Sequence, residues 1–198
     1  MSDYATLSTR EIERMARKIL PGEWAVERER PISTLLGSCV AVCLYDSAVP
    51  IAGMNHFMLP RMRQHHFPER ELLLAGEACM AALLDTMLAQ GAARHRLQAK
   101  AFGGGSVIDV APAATPSIGR LNADFARQWL AREKIALTAS DFLGPWSRKV
   151  LLVPHTGDAY CKRQISNMIN EEGQRREEKA YAAALHHLAR DGSASSHG

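Results

Sequence analysis

Leu36-Gly37-Ser38-Cys39-Val40-Ala41-Val42-Cys43-Leu44-Tyr45 is the stretch from which the rest of the chain can be read. Val40 to Tyr45 is short, apolar and partly β-branched, with Gly-Ser before it and Asp46-Ser47 after it. That pattern predicts a buried strand. Ile51 to Leu59 predicts a second strand, closed by Pro60, so the two form a hairpin around a loop at Asp46 to Pro50.

Upstream, Ser8-Thr9-Arg10-Glu11 fits a capping box. Ile12, Met15, Ala16, Ile19 and Leu20 then mark one helical face, and Pro21-Gly22 ends it. Trp24 to Arg30 alternates loosely as an edge strand, stopped by Pro31. Downstream, Arg61 to Pro68 reads as a polar loop with His65 and His66 exposed. Glu69 to Gln90 reads as an amphipathic helix carrying Leu73, Glu77, Met80, Leu84, Met87 and Leu88, with Gly91 placed to cap it. Leu97 to Phe102 predicts a strand running into Gly103-Gly104-Gly105, and Val107 to Pro116 a loop. Ile118 to Lys134 predicts a helix with Leu121, Phe125, Trp129 and Leu130 inward. Ile135 to Thr138, Lys149 to Val153 and Ala159 to Lys162 predict strands, the last two joined by a turn at His155-Thr156-Gly157-Asp158.

Hairpins separated by helices predict an α+β fold rather than a doubly wound sheet. Residues 1–163 are expected to form one domain. Residues 164–198 are expected to add a C-terminal helix, with a Tyr181/Ala184/Leu185/Leu188 stripe and a frayed tail.

The bulk numbers narrow the function. At 198 residues, with 46% hydrophobic and 23% charged side chains, the chain can build a core. A net charge of +3, with six acids and six bases among residues 1–30, supplies no basic arm for nucleic acid. The start, Met1-Ser2-Asp3-Tyr4, lacks a secretory pattern. The longest apolar run falls short of the roughly 20 residues a membrane span needs. A cytoplasmic protein with reduced thiols is expected, with no membrane insertion. Cys39, Cys43, Cys79 and Cys161 show neither CxxC nor zinc-finger spacing, so no metal site is expected.

Cys39 reads in two ways. It is either an ordinary cysteine at a strand start or a nucleophile behind a flexible Gly-Ser turn, whose N–H groups could hold an oxyanion. His56, in Gly53-Met54-Asn55-His56-Phe57, is either a core histidine or an imidazole brought beside Cys39 by antiparallel pairing. The Gly103-Gly104-Gly105 run is either a tight turn requiring positive φ or a cradle for a substrate backbone or phosphate. It lacks the Lys-Ser/Thr of a phosphate-binding loop. The other three thiols read as packing.

Several ordered motifs at compatible spacing resemble the CheD family, the chemoreceptor glutamine deamidases of bacterial chemotaxis. They are Thr34-Leu35-Leu36-Gly37-Ser38-Cys39-Val40, Gly53 to Pro60, Ala99-Lys100-Ala101-Phe102-Gly103-Gly104, Ile118-Gly119-Arg120-Leu121-Asn122, and Arg148-Lys149-Val150 with Thr156-Gly157. The resemblance runs from about Pro21 to Arg163. It implies a single-domain α/β sandwich with flanking helices and the layout of a cysteine hydrolase related to toxin deamidases. Cys39 is then the nucleophile and His56 the base and acid. The third member is a hydroxyl just upstream: Thr34 fits the motif, and counting six residues back from Cys39 gives Ser33. Ser38, Gly103 and Gly104 would contact substrate. No cofactor or metal is implied. The expected partners are the cytoplasmic helices of chemoreceptors and a CheC-type phosphatase, which in this family can use CheD as a regulator; a regulatory binding module is therefore the alternative function. Where the family usually has Gly-Gly after Asp141, this chain has Leu143, with Trp146 adding bulk, so a modified entry loop is expected.

Overall fold

The computed structural model describes residues 8–61, 73–106 and 117–164, all within a compact unit spanning Met1–Ile165. The expected loops around His65/His66 and Val107–Pro116, the start of the helix at Glu69, and the C-terminal helix beyond Gln164 lie outside the described residues.

The elements run α1 (Thr9–Met15), β1 (Arg17–Lys18), β2 (Trp24–Glu27), β3 (Ile32–Leu36), β4 (Val40–Asp46) and β5 (Ala52–Asn55). There follow α2 (Gly76–Ala89), a 3-10 turn (Arg94–Arg96), β6 (Leu97–Gly103), α3 (Ile118–Arg132), β7 (Ala136–Phe142), β8 (Ser147–Val153) and β9 (Asp158–Gln164). They build two mixed sheets. One has the order β2-β5-β4-β6-β7, the other β1-β3-β8-β9. The fold is α+β.

β4 is central because it is apolar on both faces. Val40, Val42 and Leu44 pack with Met80, Leu83, Met87, Phe125 and Trp129 of α2 and α3. Ala41 and Cys43, on the opposite face of the pleat, are also fully buried. Phe57 and Phe125 meet edge to face, their centroids 5.6 Å apart. The hairpin loop is pinned at Asp46, whose carboxylate takes two hydrogen bonds from Arg96, at 2.8 and 2.9 Å. Those bonds hold its carboxyl well below the usual range, against the opposing effect of burial.

Several expectations are corrected. The capping box forms: Ser8 Oγ accepts from Glu11 N–H and Glu11 accepts from Ser8 N–H. The helix it starts, however, ends at Met15 rather than Leu20. Arg17 and Lys18 pair instead with Ile32 and Ser33 of β3, and Ile19 N–H donates to Ser33 O at 2.9 Å. Continuing the helix would strip β3 of these edge partners, so tertiary pairing overrides local helical spacing. β3 itself was not anticipated. Its residues show no apolar–polar alternation, because both of its faces are covered. α2 begins at Gly76, with Leu73 in a turn. In α3, Leu121 is 40% exposed, and the next residue, Asn122, is the one turned inward and fully buried. Gln164 closes β9 rather than opening a helix.

The chain changes sheets twice near one place. Gly37-Ser38-Cys39 carries it from β3 to β4, and Leu143 to Trp146 from β7 to β8. The two crossings touch through the glycine run. Gly105 N–H donates to Gly37 O at 2.8 Å, and Ser106 N–H to Gly144 O at 2.9 Å.

Candidate active site

Cys39 sits at the first crossing and is 1% exposed. Its carbonyl accepts the Gly104 N–H at 2.8 Å. Gly103 has φ +119, and a Cβ there would lie 2.1 Å from Cys39 O. The glycine run is therefore a positive-φ turn packed directly against the Cys39 peptide. No L side chain fits at Gly103 without moving main chain.

His56 follows β5 and is also 1% exposed. Its N–H donates to Glu23 O at 3.0 Å and its carbonyl accepts from Gly22 N–H at 2.8 Å, so its backbone is held on both sides. The hairpin register sets its relation to Cys39. Val40 pairs with Phe57 and Cys43 with Met54, which puts Ala41 opposite His56. Cys39 lies two residues before Ala41, just outside β4, and continuing the strand's alternation would put it on the same face. Diagonal neighbours in an antiparallel pair have Cα atoms about 7–8 Å apart, within reach of long side chains. That face turns away from the helices, towards the second sheet.

The second sheet supplies a hydroxyl. Thr34 Oγ1 lies 2.8 Å from His56 Nδ1 and donates to Ile19 O at 3.0 Å. A hydroxyl has one proton. Since that proton goes to Ile19 O, Thr34 accepts from Nδ1–H. In the neutral ring the proton-accepting lone pair is then on Nε2. Ser33, next along β3, points to the other face of the strand and pairs in register with Leu151. Of the two hydroxyl candidates, only Thr34 meets the imidazole.

The remaining cysteines differ from a nucleophile in their surroundings. Burial pushes the Cys43 and Cys79 thiols up to about 12. Burial and the nearby Asp141 carboxylate raise Cys161 to about 11. All three are protonated at neutral pH.

Two residues with no role assigned from sequence help build the site. Asn122 Nδ2 donates to Ser38 O at 3.1 Å and to Met58 O at 2.8 Å. Its only signal in sequence is membership of the Gly119–Asn122 motif. Arg148 is completely buried, opposite Leu36 in register, and holds the second crossing through Asp141, Trp146 O and Leu143 O. Leu143 has φ +66, a left-handed conformation that favours glycine. Asp141 also takes two bonds from Arg163, at 2.8 and 2.9 Å. Arg163, and then Arg148, draw the Asp141 carboxyl down to about 2 against the opposing effect of burial.

The fold and this cluster define the class: an α+β protein with an imidazole and a hydroxyl in contact where two mixed sheets meet, and a buried cysteine at the start of the neighbouring strand. Residues 58–163 match the family model described as CheD chemotactic sensory transduction. Similar proteins include "Probable chemoreceptor glutamine deamidase CheD 2" of Dechloromonas aromatica (strain RCB), 55% identical over 92% of each chain. A relative named "Probable chemoreceptor glutamine deamidase CheD", from Cupriavidus metallidurans, is 40% identical over 89% of this chain and 80% of its own. One of the same name from Cupriavidus pinatubonensis is 39% identical over 96% and 86%. The chain belongs to the CheD family. Among the described residues, no helix is long and apolar enough to cross a membrane, and no group of His, Cys, Asp or Glu is arranged to hold a metal ion.

Proposed function

We propose that this protein deamidates glutamine side chains on the cytoplasmic helices of chemoreceptors, converting them to glutamate by cysteine chemistry. The observation that carries the reading is the Thr34–His56 contact. It holds the ring in the tautomer with Nε2 basic, opposite Ala41 on the strand that Cys39 leads into. The same arrangement supports the layout of a cysteine hydrolase resembling the toxin deamidases.

In this mechanism His56 Nε2 takes the Cys39 proton and the thiolate attacks the carboxamide carbon. The C=O electrons move onto oxygen, and main-chain N–H groups including that of Cys39 hold the oxyanion. The tetrahedral intermediate collapses as the C–N bond breaks. His56 returns the proton to the leaving nitrogen, and ammonia departs. Water, deprotonated by His56, then attacks the thioester; the C–S bond breaks and leaves glutamate and the restored thiol. A methyl ester of glutamate would follow the same route with methanol leaving, so methylesterase activity accompanies deamidation. Thr34 stabilises the imidazolium through a neutral hydroxyl, so its contribution is mostly orientation.

The test is incubation with receptor cytoplasmic fragments, followed by mass spectrometry of their peptides. The expected result is a gain of about 1 Da at specific glutamines, the mass of NH exchanged for O, lost in Cys39→Ala. A Cys39→Ala protein as active as wild type would overturn the nucleophile assignment. Absence of deamidation by wild-type protein would favour a regulatory module that docks on a CheC-type phosphatase.

A further inference from the structure

Asn122 is fully buried near the start of α3, where its helix neighbours Phe125, Ala126 and Trp129 point into an apolar core. A carboxamide there needs a reason. Both groups it faces are carbonyl acceptors, Ser38 O and Met58 O, so its NH2 end must point at them; the flipped amide would set oxygen against oxygen. Its Oδ1 meets no donor among the described residues. The side chain reaches these carbonyls because α3 comes very close to the glycine turn. A Cβ on Gly119 would lie 2.3 Å from Gly104 O, and one on Gly104 2.5 Å from Gly119 O. The motif Gly119-Arg120-Leu121-Asn122 thus combines the close approach with the residue that uses it.

The two acceptors flank the reacting pair. Met58 is two residues beyond His56. Ser38 O belongs to the peptide group whose N–H is that of Cys39. In a trans peptide the C=O and N–H point in opposite directions. Tying Ser38 O to α3 therefore aims the Cys39 N–H away from α3. The next peptide is held as well, by Gly104 N–H on Cys39 O and by Val40 N–H on Phe57 O at 3.1 Å. With both adjoining peptide planes held, the main chain at Cys39 cannot flip without breaking a buried hydrogen bond.

We propose that Asn122 is a positioning residue for the reaction: its carboxamide locks the Ser38–Cys39 peptide so that the Cys39 N–H is aimed at the oxyanion formed when the thiolate attacks. The inference rests on Cys39 being the nucleophile, as proposed above. It extends that reading to a residue that acts through the Ser38–Cys39 peptide. Asn122 acts on the step in which charge develops on oxygen, and only secondarily on thiolate formation, which belongs to His56.

Two reagents separate these steps at Cys39. Acylation by p-nitrophenyl acetate passes through a tetrahedral oxyanion before p-nitrophenolate leaves. Alkylation by iodoacetamide forms the C–S bond as iodide leaves, with no oxyanion. Loss of an oriented oxyanion donor slows acyl chemistry by about 100- to 1000-fold where the donor is removed outright. Misaiming it should slow acylation by about 10- to 100-fold. The experiment compares both rates in wild type, Asn122→Ala and Asn122→Leu. The leucine variant fills the volume and leaves no cavity, and folding is followed by thermal melts. The expected result in both variants is acylation slowed by about 10- to 100-fold with alkylation within about threefold of wild type. In parallel, kcat for receptor-fragment deamidation should fall with KM nearly unchanged. Acylation and alkylation falling together, or neither changing in a folded variant, would overturn the proposal. A changed ratio in a protein whose wild type deamidates no receptor glutamine would support the positioning role while overturning the substrate reading.

Discussion

Thr34 shows how much rests on a single hydroxyl proton. Because it is donated to Ile19 O, the imidazole has one place left for its own Nδ1 proton, and Nε2 becomes the base. Thr34→Val keeps the shape and removes the acceptor. A hydrogen bond to a group that becomes charged is worth about 1.5–3 kcal/mol. Steady-state deamidation by Thr34→Val should therefore lose about 10- to 100-fold in kcat. Ser33→Ala, one residue away on the other face of β3, should stay within about twofold. Equal losses in the two variants would remove Thr34 from its role. The choice between these residues was not legible in the sequence. Both are small hydroxyls beside the Leu36–Cys39 turn, and only the pairing of β3 with β8 decides which of them faces inward.

Elements differ in how far local signals carry. The β4–β5 and β8–β9 hairpins were legible because apolar runs are interrupted by turn residues at Asp46-Ser47 and Thr156-Gly157. The helix after Ile118 was legible from its spacing, but its inward polar residue was not, since Asn122 satisfies contacts more than 60 residues away. β1 and β3 were missed because each takes its shape from a partner rather than from its own pattern. The glycine turn after β6 was legible as a turn; its role as the backing of Cys39 was not. Gly103→Ala tests that role. The added Cβ meets main chain at 2.1 Å in a positive-φ residue, so denaturant unfolding should show a loss of about 2–4 kcal/mol. Gly91→Ala is the control. It shares the positive φ, +97, but the nearest atom to its Cβ is the Arg28 guanidinium at 3.7 Å, so it should lose only about 1–2 kcal/mol. Equal losses would mean that the Cys39 contact is not a tight constraint.

At the scale of the whole molecule, the two sheets are joined by charge as well as by packing. Asp141 on β7 belongs to the five-stranded sheet, while Arg148 on β8 and Arg163 on β9 belong to the other. The Asp141 carboxyl is drawn to about 2 in the folded protein, whereas an unfolded aspartate titrates near about 3.9. Its folded value is the lower of the two, so the unfolded chain binds the proton more readily. The stabilisation is therefore complete above about pH 4 and is lost as pH falls towards 2. Urea unfolding of wild type should show stability dropping across that window. Asp141→Asn should be less stable at neutral pH and show a shallower acid slope, the remainder including Asp46, Glu133 and Glu11, which are shifted in the same direction. An unchanged acid slope in Asp141→Asn would mean that this cluster does not couple the sheets.

By itself the sequence determined the α+β class, the two clearest hairpins, and the motif residues Cys39 and His56 as a candidate pair. These depend on short-range signals: runs of apolar residues, turn chemistry, and the order of motifs along the chain. Only the tertiary structure decided that Thr34 rather than Ser33 meets His56, that Gly103 and Gly104 support the Cys39 peptide, and that Asn122 bridges Ser38 and Met58. The physical reason is the same in each case. Which face a residue presents, and which carbonyl a buried amide can reach, are set by strand pairing and helix approach between segments distant in sequence, and one residue of register reverses the answer.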